Sequence, residues 1–461
     1  MGVFRSVQLI LGLGLLSVAC QTPGESPPDD DEQGPRTEGE VVEVATGEAF
    51  VGEWEMNESD FRYVDDPSVA IDQNEMTMVV WVDNSQKDVF LQRYHSEGRE
   101  QLEEAVNVSR SSDIFSWLPR VVVDPEGEEV YVLWEEIVFS GGSHGGEIFF
   151  ARSEDGGETF EEPVNLSNTI NGAGKGRLTR DRWDNGSLDL LRGPQGDLFV
   201  AWTEFEGGLR FTRSTDGGQS FSDSYRIAGS DQRPARAPSL ATSPQGVIYL
   251  VWTVGEDEAA DIHFASSENS GESFGPARVA TESDGHSDAP KVAVDDNGRV
   301  HLVFGESPQG PEVRYQIYYT SMDVEDEAFD PPRPISTVEN GSSQAANFPS
   351  IAVDEDDNLL VVWEHYSDFQ GPPRGLAFVQ SFDGGETFRE PEVISGTVPD
   401  SPAFNGGLQG KLMERVATGP GRAVVVHSIF RPGEGSEILM IRQVTPTEVD
   451  RAEAGRAHRA R

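Results

Sequence analysis

Four eight-residue segments of this chain share one pattern, Ser-x-Asp-x-Gly-x-Ser/Thr-Phe, with Asn in place of Asp once. They run Ser153 to Phe160, Ser214 to Phe221, Ser267 to Phe274 and Ser381 to Phe388, around Asp155, Asp216, Asn269 and Asp383. The pattern reads as a tight turn. An Asp or Asn side chain bonds the backbone two residues on, glycine accepts the positive φ of a sharp reversal, and the final Phe anchors the turn to a core. Spacings on the order of 50 residues imply a repetitive architecture.

Each turn sits within a longer repeat. Before it comes Pro, a short alternating apolar run, a polar turn, and a second apolar run ending in an aromatic residue. Pro67 leads to Trp81, Pro119 to Trp134, Pro238 to Trp252, Pro290 to Phe304 and Pro349 to Trp363. Ser187 to Trp202 and Val416 to His427 follow the same course without the Pro, which makes seven repeats. Alternation with Val, Ile and Trp enrichment means strands. Short turns such as Asp295 to Gly298 supply hairpins. A third strand precedes each turn pattern and a short fourth strand follows it. Four antiparallel strands per repeat make the blade of a β-propeller. The expected fold is therefore all-β, a seven-bladed propeller, with six blades as the alternative. The seventh repeat runs out of chain after Ile438 to Arg442. Its fourth strand is expected from Val41 to Val44 or from Ala49 to Val51, which would close the ring between the two ends of the chain.

The turn pattern resembles the Asp-box, or BNR repeat, of the sialidase superfamily, and the resemblance covers about residues 60 to 445. Sialidases have six blades, hence the alternative count. Because the turns join third to fourth strands, Asp155, Asp216, Asn269 and Asp383 are expected on the outer rim of the face opposite the central mouth and read as structural. Family enzymes hold a substrate carboxylate with three arginines and use a Tyr nucleophile assisted by a Glu, outside the usual paired-carboxylate scheme of glycosidases. One of those arginines lies in an Arg-Ile-Pro motif near the first blade. Here the first repeat has Asp65-Asp66-Pro67, and the near match, Arg236-Ala237-Pro238, stands in the fourth. Arg236, Arg314, Tyr315, Glu364 and Tyr366 are the only catalytic candidates, and nothing in their local sequence specifies the role.

Charge narrows the function. The chain has 35 basic and 81 acidic residues, a net charge of -46, which argues against nucleic acid as a partner. Its one cysteine, Cys20, follows an apolar run from Val7 to Leu16, too short for a membrane span. Ser17-Val18-Ala19-Cys20 resembles a bacterial lipobox. The expected organisation is a signal peptide over 1–20 with Cys20 lipidated, a disordered acidic, Pro-rich tether over 21–40, the propeller over 41–446 and a polar tail over 447–461. The expected location is extracytoplasmic, anchored by lipid at Cys20 or else secreted.

Ligands of propellers usually lie at the central mouth. Acids near the ends of the second strands, Asp83, Glu136, Glu204, Glu256, Glu306 and Glu364, read either as a ring for a cation or glycan, or as solvated loop residues. A calcium ion there is the one cofactor left open; no motif demands any other. Arg177, Arg180 and Arg182, with Lys175 and Trp183 in a Gly-containing loop, and Arg233 and Arg236 one blade later, read either as a carboxylate-recognition site or as partners of neighbouring acids. The sequence thus points to a glycan- or protein-binding module at the cell surface. An exo-α-sialidase or another glycoside hydrolase is the alternative.

Overall fold

The computed structural model describes residues 40–442 apart from 54, 112, 139–145, 170, 180–181, 257–259, 309, 312–314, 324–325, 327, 338–344, 367–370, 401 and 408–411. The expected signal peptide with Cys20, the expected tether up to 39, the expected C-terminal tail, Arg180 and Arg314 therefore lie outside the described residues, while Glu40, placed at the end of the tether, opens the first strand.

Seven antiparallel sheets form the ring. Blade one is Val64–Ile71, Thr77–Asp83, Asp88–Tyr94 and Val106–Asn107, and blade two is Ser116–Val123, Val130–Glu136, Glu147–Ser153 and Val164–Asn165. Blades three to six repeat this order from inner strands Leu188–Arg192, Ala235–Thr242, His286–Val294 and Ala345–Val353. Blade seven is assembled from both ends of the ring. Its inner strand Val416–Gly419 pairs Arg422–Arg431, which pairs Gly435–Arg442, which pairs the N-terminal strand Glu40–Gly47. Of the two segments expected to close the ring, the first does so, and six blades are excluded.

Alternation along the second strand explains the core. The aromatic residue of each second strand faces the preceding blade, and the next residue faces the following one. Seven apolar clusters result, one per seam between blades. Trp134 lies in the seam with blade one, Trp202 with blade two and Trp252 with blade three. Each such Trp is worth about 2–3 kcal/mol of burial, available only when a neighbouring blade covers it.

Five inner strands break register at the repeat's Pro. The residue before that Pro (Asp66, Leu118, Ala237, Ala289 and Phe348) has φ between 51 and 56°, a left-handed conformation that costs about 1–2 kcal/mol for a non-glycine residue. Ala237, Ala289 and Phe348 meet Leu412 of blade seven in a small apolar plug. The buried Arg120 guanidinium donates to Leu118, Pro119, Gly186 and Leu412 carbonyls at the same place. The axis is thus packed at this level.

The four turn sequences adopt one hydrogen-bond pattern. Ser153 Oγ donates to Asp155 Oδ1 (2.7 Å) and accepts from Gly157 N (2.9 Å), while Asp155 accepts from Thr159 N (2.8 Å) and Oγ1 (2.6 Å). The turns at Asp216 and Asp383 repeat it, and the turn at Asn269 differs in one bond, Asn269 Nδ2 donating to Ser273 Oγ at 3.0 Å. They join third to fourth strands, at the end of the propeller opposite the starts of the inner strands. They are also hooks. Arg93 of blade one donates to Gly156 O (2.9 Å), Arg152 of blade two to Gly217 O (3.1 Å), and Arg213 of blade three to Ser270 O (2.6 Å). In each case the Arg comes from the blade before the turn. Arg152→Ala should lower stability by about 1–3 kcal/mol, measured by urea denaturation. Arg99→Ala, which removes an exposed ion pair with Glu97, should change it by less than about 1 kcal/mol.

Candidate functional site

Inner strands begin and second strands end at one mouth of the ring. The hairpin Lys175–Thr179/Arg182–Asn185, between blades two and three, is a two-stranded sheet outside the blades and lies against the inner strand of blade four. Gly176 permits this approach, because a Cβ there would stand 2.7 Å from Arg236 Cβ.

The sequence placed five arginines at this mouth. Arg236 lies within the inner strand of blade four, not on a connection, and is 1 % exposed. Its guanidinium faces protein acceptors: Arg177 O at 3.1 Å, Gly255 O, and Asp288 Oδ2 at 3.2 Å, with His286 Nε2 at 3.2 Å. Arg177, on the hairpin, pairs with Glu256 at 2.8 Å and Asp231 at 2.9 Å. Arg233 is exposed on the connection into blade four. Arg182 falls in the second hairpin strand. Arg177 and Arg236 are thus directed at the protein's own acids.

The six acids do not occupy equivalent positions. Asp83, Glu136, Glu204 and Glu306 stand two residues after the repeat's aromatic, but Glu256 stands four after Trp252 and Glu364 one after Trp363. Strand alternation therefore turns Glu364 to the opposite side of its sheet. Each acid is engaged locally. Asp83 caps Ser85 (2.8 Å), Glu136 accepts from Trp134 Nε1 (3.2 Å), and Glu204 pairs Arg210 (3.0 Å). Glu306 accepts from Ser287 Oγ (2.5 Å), and Glu364 pairs the fully buried Arg415 (2.5 Å). Among the described residues no three His, Cys, Asp or Glu side chains converge as a metal ion would require. Tyr315 is buried with its ring edge-on to His286, 6.2 Å between centroids, and Tyr366 is half-buried two residues after Glu364.

Sequence reasoning missed the residues that receive these side chains. The position directly after each aromatic reaches the next blade's inner strand: Thr203 Oγ1 donates to Ala235 O (3.2 Å), Thr253 Oγ1 to Asp288 Oδ1 (3.0 Å), and Ser428 Oγ to Asp65 Oδ1 (2.7 Å). Glu364 meets Arg415 by the same rule. Glu135, after Trp134, reaches between Gly146 and Gly174, where a Cβ on either glycine would lie 2.5 Å from its side chain. The visible signal was an acid immediately after the aromatic residue that ends a repeat's second strand, seen at Glu135 and Glu364.

Burial dominates the titration of these groups. It raises the Glu135 carboxyl to about 7 against the nearby charge of Lys175 and the amides of Gly186 and Gly146. It raises Glu136 to about 7, against the Trp134 hydrogen bond. Burial also opposes ionisation of Asp288, yet Arg236 and His286 hold its carboxyl far below the usual carboxylate range. His427, which takes the aromatic position in blade seven, is pushed down to about 3 by burial and by Arg415.

No protein-family model matches the chain, and no curated protein does. Solved structures match its fold at low identity. A PL25 ulvan lyase bound to -[GlcA(1-4)Rha3S]- superposes with a TM-score of 0.54 at 13% identity, over 84% of this chain and 97% of that one. A second PL25 ulvan lyase structure gives 0.56 at 13%, over 85% and 97%. The polysaccharide lyase Uly1 gives 0.51 at 11%, over 88% and 99%. Likeness at these identities establishes a shared fold.

Two outcomes follow from the buried charges. Glu135 is raised above its unfolded value of 4.5, so its contribution to stability is full below about pH 4.5 and is lost as pH rises through about 7, roughly 3 kcal/mol in all. Glu135→Gln should flatten the fall in melting temperature between pH 5 and 8; a variant that falls as steeply as the wild type contradicts this. Glu364→Ala, which strands the Arg415 charge, should cost about 3–5 kcal/mol in chemical denaturation.

Proposed function

We propose that this protein is an extracytoplasmic, sialidase-like Asp-box propeller, lipid-anchored through Cys20, that binds a glycan across the mouth where its inner strands begin. One observation carries the reading: the two faces differ in what their side chains do. At the turn face a cleft of about 400 Å³ is lined by polar and charged side chains such as Asp72, Asn74, Arg93, Glu126 and Asp155, with Met76 its one large apolar side chain and no aromatic ring. At the mouth, half-exposed hydrogen-bonding and aromatic side chains accumulate around the inserted hairpin. A cleft of about 320 Å³ lined by Asn57, Ser59, Phe61, Asn84, Lys87 and Asp113 opens on the same face. Convergent polar groups beside aromatic surface are what a sugar site needs. The shared fold with polysaccharide lyases, one of them bound to an oligosaccharide, supports this by analogy only.

A glycan-cleaving enzyme is the second reading. Glu135 and Glu136 favour it, since carboxyls raised to about 7 suit acid–base work near neutral pH. The sialidase form of that reading is weakened by Arg177 and Arg236, whose guanidinium groups are paired with the protein's own carboxylates.

Affinity electrophoresis against a panel of soluble polysaccharides, with product analysis of each mixture, tests both. The expected result is retarded migration on at least one polysaccharide without release of new ends. Unretarded migration throughout sinks the glycan reading, and release of reducing or unsaturated ends replaces binding with catalysis.

A further inference from the structure

Seven large apolar side chains are exposed among the described residues, and three of them, Phe50, Val51 and Met56, lie in one segment at the mouth. The segment, residues 48–61, runs from the end of the N-terminal strand Glu40–Gly47 towards the inner strand Val64–Ile71 of blade one. Phe50 is 47 % exposed. Its ring lies against two others, Phe61 with centroids 5.3 Å apart and Tyr63 with centroids 5.5 Å apart. Tyr63 is backed in turn by Phe430 of blade seven, 5.2 Å away. Phe50 is thus the outermost ring of an aromatic cluster whose inner members Phe61, Tyr63 and Phe430 are buried.

We infer that Phe50 is a wall on which a neutral sugar residue packs, at the edge of the cleft beside Lys87; the inference rests on the glycan-binding reading. Phe61 lines that cleft and touches Phe50, so the exposed ring borders it. A sugar ring has an apolar C–H face and a rim of hydroxyls, and so requires apolar surface next to polar groups. Phe50 supplies the apolar surface. The exposed carboxylates of Glu58 and Asp113 line the cleft and make no hydrogen bond or ion pair with the described residues, which leaves them to accept from hydroxyls. Lys87 Nζ donates to Asn57 O at 2.6 Å and stands 5.3 Å from the Phe115 ring centre. Its ammonium keeps further protons for a sugar oxygen.

The wall is in place before any ligand arrives, which lowers the ordering cost of binding. Glu48 N donates to Arg62 O (2.9 Å), and Ser436 Oγ of blade seven donates to Glu48 O (3.2 Å). Glu55 N donates to Ser59 Oγ (2.7 Å), and Asn57 Nδ2 to Ile137 O beyond the second strand of blade two (2.9 Å).

Size and charge select the occupant. Three side chains are too few for a stable protein interface, which buries about 800 Å² on each partner, whereas one aromatic ring suffices for one sugar. The segment carries Glu48, Glu53, Glu55, Glu58 and Asp60, and Asp83 and Asp113 add to them at the cleft's other side. The bases of this region are Lys87, Arg62 and Arg110. Arg62 pairs with Asp60 (2.9 Å) and Glu48 (3.7 Å), and Arg110 turns away to Glu161 O and Glu162. Acids therefore outnumber bases. A uronate, a sulfated sugar or an anionic bilayer would meet repulsion here, and a neutral sugar would find acceptors for its hydroxyls.

The test is affinity electrophoresis of the full chain with arabinan, galactan and xylan, with polygalacturonate as the anionic probe, beside sedimentation of the protein alone. Phe50→Ala should weaken binding of a neutral polysaccharide about tenfold with little change in melting temperature, and Phe50→Trp should retain it. Wild-type affinity in Phe50→Ala would overturn the wall and leave the glycan reading standing. Tighter binding of polygalacturonate than of every neutral polymer would overturn the neutral class. A wild type that sediments as a dimer, with Phe50→Ala a monomer, would make the patch a contact between copies and overturn the sugar site. Failure of the wild type to bind any of the four polymers would overturn the glycan reading and this inference with it.

Discussion

Everything in this fold depends on how the second strand of each blade divides its side chains between two seams. The aromatic residue goes to the blade before and the following residue to the blade after, because successive strand positions point to opposite faces. A single blade therefore has two apolar faces and no means of covering either. Only a closed ring covers all fourteen faces of seven blades, and closure requires the N-terminal strand Glu40–Gly47 to pair with Gly435–Arg442. The first and last described strands are thus each other's neighbours, and the apolar seam they share holds Trp81, Val424 and Met440.

The same division sets the character of the two ends. At the turn end, the seams are reinforced by arginines that bond the next blade's turn carbonyls. At the mouth end, the post-aromatic position carries Glu135, Thr203, Thr253, Glu364 and Ser428, so polar contacts bridge the blades there. Buried ion pairs such as Glu364–Arg415 add little net stability over apolar replacements but are destabilising when broken. Together with five left-handed residues ahead of prolines, they make the mouth the less relaxed end of the molecule. Such local violations concentrate where a protein does its work.

Much of the fold was legible. The four turns, the prolines and the aromatic residues each recur within the repeat, and hydrophobic alternation is a local property that short segments display. The mouth was legible only in composition. Arg236 reads as a candidate ligand group because the sequence shows its charge; Asp288, which neutralises it, lies one blade on. Glu256 and Glu364 read as members of a ring because acids near strand ends look alike, whereas one residue of register reverses the side on which a side chain stands. Arg415 and Glu135 drew no notice, since nothing local marks the seam that encloses them. Trp183 was visible as part of a basic loop, but its stacking on Phe205 was not, because the two rings come from different connections.

Under the proposed function, ligand binding belongs to one end of the ring and structural reinforcement to the other. Hydrogen–deuterium exchange of the protein with and without a bound oligosaccharide separates the two directly. The expected result is added protection confined to 48–61, 84–87, 175–185, 204–208 and 230–236, with the turns at Asp155, Asp216, Asn269 and Asp383 unchanged. Protection centred on those turns, with the mouth unaffected, would contradict it.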